Sequence, residues 1–100
     1  MIGTPITKAM AGAVLHIDLD AIQSNYRTLV DQLGGVPSAA VVKADGYGLG
    51  AERVGPVLAA AGCQVFFVAH LAEGIALRAT LPDTEVHILN GLLPDALDAY

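Results

Sequence analysis

A chain of 100 residues holds at most one domain, and 54% hydrophobic against 15% charged residues excludes a disordered chain. Ten acidic residues outweigh five scattered lysines and arginines for a net charge of −5, so the sequence lacks the basic stripe that nucleic-acid binding requires. No apolar run approaches the ~20 residues that span a bilayer, and AMAGAVL after Lys8 runs at once into His16, Asp18 and Asp20, a poor signal-peptide context; a cytoplasmic protein with no membrane partner is expected.

Residues 1–13 read as an N-terminal extension. From Val14 the stretch VLHIDL alternates Leu15, Ile17 and Leu19 with His16 and Asp18, a period of two that predicts a half-buried strand. Asp20 and Gln23 form a capping-box-like pair ahead of a helix whose apolar face carries Ile22, Tyr26, Leu29, Val30 and Leu33, and Gly34 and Gly35 stop it. Ala39 to Val42 is a continuous apolar run, as in a parallel strand covered on both faces. A glycine-bearing loop follows, and then a helix from Ala51 with Val54, Val57, Leu58 and Ala61 at helical spacing and Gly62 as its C-terminal cap. Pro56 lies about a turn and a half inside that helix, where it should kink the helix or mark its true start.

Val65 to Ala69 is a second strand, Leu71 to Thr80 a helix closed by Pro82, Glu85 to Leu89 a third strand, and Pro94 opens a further helix. The order β-α-β-α-β-α after the first helix predicts a parallel α/β sheet with right-handed crossovers, either open or closed as a barrel. A (β/α)8 barrel takes about 250 residues, so residues 14–100 supply about three of its eight units. The mean hydropathy of +0.56 is high for so short a chain, since a small domain hides only about 60% of its unfolded surface. More chain or a partner is expected to cover part of this apolar surface.

The chemistry concentrates in VVKADGYGLG, positions 41–50. Ligands of parallel α/β proteins sit at the C-terminal ends of strands, and Lys43 stands at such an end, sharing the face of Val41. Gly46, Gly48 and Ala51 match the glycine pattern of a dinucleotide-binding turn, but no acid follows the next strand until Glu73, and that reading leaves Lys43 and Tyr47 without a role. A phosphate loop of the P-loop type needs its lysine after the glycines. A lysine at a barrel rim can instead add to an aldehyde and form a Schiff base, for which pyridoxal phosphate is the suited cofactor because its ring takes up electrons released at the substrate's Cα. By position alone the bland alternative, a lysine reaching out to solvent, stays open. Cys63 reads as a buried structural thiol, Tyr26 as core, and His70 as a helix-start or solvent-facing residue.

AVVKADGYGLGA closely resembles the signature around the cofactor lysine of alanine racemases, a lysine followed four residues later by tyrosine in a glycine-bearing loop. LHIDLDAIQSNYRTL is similar to that family's opening strand and first helix, FFVAHLAEGIALR to its second barrel strand and following helix, and VHILNG to its third strand. Asp45 stands where asparagine is common in the family, Gly46 where alanine is common, and Leu49 where histidine is common.

The resemblance implies the N-terminal part of a (β/α)8 barrel, preceded by a strand that joins a second, β-rich domain. It implies that Lys43 carries pyridoxal 5′-phosphate as its Schiff-base lysine and acts as one of two bases, and that Tyr47 bonds the cofactor phosphate. The opposite-face base, a tyrosine supplied across a homodimer interface, and an arginine at the pyridine nitrogen would lie in segments beyond these residues. The implied activity interconverts L- and D-alanine, supplying D-alanine for bacterial peptidoglycan. The 100-residue chain alone is expected to be inactive. A non-catalytic pyridoxal-phosphate-binding barrel and a related enzyme acting on another amino acid are the competing readings.

Overall fold

The computed structural model describes residues 7–100. Three parallel strands, β1 (Ala40–Val41), β2 (Val65–Val68) and β3 (Glu85–Ile88), lie in the order β1-β2-β3. Helix α1 (Leu19–Leu33) precedes β1, α2 (Ala51–Ala60) connects β1 to β2, and α3 (Leu71–Thr80) connects β2 to β3. Short 3-10 turns occupy Lys8–Met10 and Pro94–Ala99, the latter with proline at its start.

Alternation along β2 sorts its side chains. Phe66 and Val68 are buried with Ala40 and Val42 of the β1 segment against Val54 and Leu58 of α2 and Leu77 of α3. Completely burying a side chain such as Phe66 stabilises by roughly 1.5–3 kcal/mol, so this one-sided core holds the three units together. Val65 and Phe67 face the other way with their register partners Glu85 and His87, and there the Phe67 and His87 rings stack with centroids 4.8 Å apart. Val41 on the same face is 45% exposed, so the two-sided cover expected of its strand is not supplied by the described residues.

Two glycines set how closely the layers approach. A Cβ at Gly74 would stand 2.5 Å from Ile88 Cδ1, so α3 lies against β3 at a distance that only glycine allows without moving Ile88. A Cβ at Gly55 would meet Leu81 and Leu77 at 3.1 and 3.2 Å, which brings α2 equally close to α3. Arg78 closes the far end of α3. Its Nη1 donates to the carbonyls of Leu81, Pro82 and Thr84, answering exposed acceptors where the helix dipole also favours a cation.

Several expectations are corrected. Val14 to Asp18 pairs with no strand among the described residues, because a strand needs a ladder partner and none lies beside it; Leu19 is already helical. Asp18, not Asp20, is the N-cap of α1, its Oδ1 accepting from the Ala21 N–H at 3.0 Å. Gln23 is therefore free of the cap. It donates to Val57 O of α2 at 2.7 Å, a carbonyl near the helix end that Ala61 bypasses by bonding to Leu58. Only the first half of the apolar face of α1 packs well, since Leu29 and Leu33 are 57% and 43% exposed. Pro56 neither starts nor breaks α2, which runs continuously from Ala51 to Ala60. Leu89 lies just beyond β3, although its N–H still reaches Val68 O at 2.8 Å.

The readings of Gly34, Cys63 and Tyr26 agree with the structure. Gly34 ends α1 in the left-handed region. Cys63 is buried, and Tyr26 packs on the core with its hydroxyl donating to Ser38 O at 2.9 Å. Among the described residues no helix is long and apolar enough to cross a membrane. The first six residues of the expected N-terminal extension lie outside the described residues.

Candidate active site

Pairing to β2 continues one residue past β1, where Val42 N–H donates to Phe67 O at 2.9 Å. The chain then reverses its hand. Lys43–Tyr47 makes one helical turn in which Ala44 (φ 51, ψ 47), Asp45 (φ 53, ψ 50) and Gly46 (φ 64, ψ 38) are left-handed, followed by Tyr47 at φ 57 and Gly48 at φ 85. Backbone bonds close the turn: Gly46 N–H donates to Val42 O, Gly48 N–H to Ala44 O and Gly50 N–H to Asp45 O, all within 2.9 Å.

A left-handed conformation costs roughly 1–2 kcal/mol for each L-residue, and the turn holds Ala44, Asp45 and Tyr47 in it. Strain of this size persists only where the surroundings over-determine the backbone. Gly46 supplies part of that constraint, because it is buried against α2 and an added Cβ would stand 3.2 Å from Ala51 N.

Two carboxylates supply the rest. Asp45 Oδ1 accepts from the Ala51 N–H at 3.0 Å, capping α2, whose own N-cap Gly50 has no side chain to do so. Glu73, in the first turn of α3, accepts at Oε1 from the N–H groups of Ala69 and His70, each at 3.0 Å, and at Oε2 from the N–H of Asp45 at 3.4 Å. Burial pushes the Glu73 carboxyl pKa up, but backbone N–H groups of His70, Asp45, Ala69 and Ala44 together outweigh it and leave the pKa below the ordinary carboxylate value.

Lys43 is half-buried at the C-terminal end of β1 and forms no ion pair among the described residues. Tyr47 stands at the other end of the left-handed turn, 61% exposed, with a hydroxyl that bonds to no described group. The two residues singled out from sequence thus bracket one left-handed turn, with no hydrogen-bond partner for either polar end among the described residues. His70 is the N-cap of α3 with Nδ1 at 3.0 Å from Asn90 Nδ2, the helix-start role expected of it. Glu73 was missed as a site residue. Its signal was the acid three positions after a helix start, which predicts a cap but not a tie to a loop 28 residues away.

The family model described as "Alanine racemase, N-terminal domain" matches residues 17–100. The chain belongs to the alanine racemase N-terminal domain family. Among curated alanine racemase relatives, the catabolic enzyme of Mesorhizobium japonicum is 58% identical over 95 residues, 92% of this chain and 24% of that protein. The enzyme of Methylobacterium sp. (strain 4-46) is 49% identical over 89 residues, 89% of this chain and again 24% of the relative. The crystal structure of alanine racemase from Bartonella henselae with covalently bound pyridoxal phosphate superposes with a TM-score of 0.77 at 44% identity, covering 82% of this chain and 23% of that one. The chain therefore spans about a quarter of the length of the alanine racemases it matches. Its three parallel strands and connecting helices correspond to the N-terminal part of the alanine racemase (β/α)8 barrel, although a 3-10 turn, and not the α-helix expected from Pro94, follows β3.

Proposed function

We propose that the full-length protein is a pyridoxal-phosphate-dependent alanine racemase in which Lys43 holds the cofactor and works one face of the substrate. The observation that carries this reading is the pair of uncommitted groups, the Lys43 amine and the Tyr47 hydroxyl, fixed on one strained turn at the strand end. That donor set fits the cofactor: an amine for its aldehyde and a phenol for its phosphate. When bound, pyridoxal phosphate takes up the electron pair released as the substrate's Cα–H bond breaks.

Lys43 would hold the cofactor covalently and, released by the incoming amino group, its Nζ would take or return the Cα proton on one face. Tyr47 would orient the cofactor by donating its hydroxyl to the phosphate. The backbone bonds of the turn keep the two residues in register, so that the lysine returns to one place after each proton transfer. One lysine reaches one face only. The second base, and the homodimer that would supply it, belong to segments outside this chain.

In the full-length protein, Lys43→Ala should lower L-to-D alanine conversion by several orders of magnitude, and Tyr47→Phe should weaken cofactor retention by about tenfold. Conversion by Lys43→Ala at the wild-type rate would overturn the proposal, and cofactor binding at Lys43 without conversion of any amino acid would favour the non-catalytic barrel.

The proposed role of the D-alanine is supply for bacterial peptidoglycan, and the catabolic name of the Mesorhizobium japonicum relative makes alanine breakdown the alternative to test. Deletion of the gene should then create a requirement for added D-alanine. Loss of growth on alanine as carbon source without that requirement would instead assign the catabolic role.

A further inference from the structure

We propose that Glu73 is a positioning residue for Lys43, its carboxylate tying the left-handed turn that carries the lysine to the corner between β2 and α3. The inference rests on the reading of Lys43 as the cofactor-holding amine. Its two oxygens serve different sides of the site: Oε1 takes the Ala69 and His70 N–H groups, and Oε2 takes the Asp45 N–H, two residues past Lys43.

The backbone–backbone hydrogen bonds of Ala44–Gly48 stay within residues 42–50, the Asp45 carboxylate reaches only to Ala51, and the Glu73 carboxylate also draws on the Ala44 N–H. Among the described residues, Glu73 therefore provides the only side-chain hydrogen bond that links this turn to the next βα unit. The turn is strained at Ala44, Asp45 and Tyr47, so a tie at its centre decides how long it stays left-handed. If the tie opens, the backbone that fixes the start of the lysine side chain is free to relax toward the right-handed region.

The competing role is a plain helix cap, and glutamine separates the two. In Glu73→Gln the amide oxygen can still accept from Ala69 and His70, preserving the cap, but the amide nitrogen then faces the Asp45 N–H, donor against donor. The cap survives and the tie is lost.

The test compares wild type and Glu73→Gln in the full-length protein. Amide hydrogen exchange is followed without cofactor, pyridoxal phosphate affinity is measured by titration, and the attachment residue is mapped by borohydride reduction and mass spectrometry. The expected result is exchange about tenfold faster over residues 44–48 with residues 69–73 unchanged, and pyridoxal phosphate binding about tenfold weaker. Wild-type affinity in Glu73→Gln, or equal acceleration of both segments, would overturn the inference and leave Glu73 a cap. Failure of wild type to carry the cofactor on Lys43 would instead overturn the functional reading, while the exchange comparison would still report whether Glu73 holds the turn.

Discussion

Substituting Asp45 separates the two contributions by which one side chain supports the turn. Its Oδ1 caps α2 through the Ala51 N–H at 3.0 Å, and its backbone sits at φ 53, ψ 50. Losing a helix cap costs about 1 kcal/mol, and holding alanine in the left-handed region costs about 1 kcal/mol more than holding Asn or Asp there. Asp45→Ala should therefore destabilise the full-length protein by about 2 kcal/mol. Asp45→Gly loses the cap but relieves the dihedral, for about 1 kcal/mol, and Asp45→Asn keeps both and should stay within about 0.5 kcal/mol of wild type. Asparagine is common here in the family this chain resembles, and by this account it performs the same two tasks. Urea unfolding, read as the shift in midpoint at constant slope, gives the three values. The reasoning fails if Asp45→Ala matches Asp45→Asn, or if Asp45→Gly is less stable than Asp45→Ala.

Gly74→Ala places a Cβ 2.5 Å from Ile88 Cδ1, which must turn aside, while alanine gains about 1 kcal/mol of helix propensity, so the net cost should be about 0–2 kcal/mol. Ile88→Val removes that Cδ1 and should recover most of the loss in the double mutant; an equal cost of Gly74→Ala in both backgrounds would place the clash elsewhere. Glu73 has a pKa lowered by its backbone donors, so its stabilisation is fully present above the unfolded carboxylate value of about 4.3 and is lost as pH falls through the lower folded value. The stability gap between wild type and Glu73→Gln should accordingly shrink in acid, and a gap unchanged between about pH 7 and about pH 3 would contradict the assignment.

Helix α3 was legible to its end residues, because a strand, an acid in the first turn and a proline beyond the last turn all mark it locally. The parallel sheet was legible too, since alternating βα units leave few topologies, although the pattern alone did not choose between an open sheet and a barrel. What was not legible depends on contacts distant in sequence. Local pattern pointed to Asp20 as the cap of α1, whereas the helix starts two residues earlier, where Leu19 packs against the core together with Ile22 and Tyr26. Gly46 and Gly48 announced a sharp turn, but not that Ala44, Asp45 and Tyr47 would adopt the left-handed region with them. That conformation closes the backbone between β1 and α2, where Glu73, 28 residues away, meets the Asp45 N–H. Val14 to Leu19 alternates as a strand does, yet period alone does not supply a neighbour to pair with.

The central claim is that the Lys43 amine is the point at which the cofactor is held. Borohydride reduction of the full-length protein with pyridoxal phosphate, followed by peptide mapping, tests it directly. The account predicts one reduced phosphopyridoxyl group on Lys43, absent in Lys43→Ala. Stoichiometric labelling of another lysine, or labelling that persists in Lys43→Ala, would contradict it.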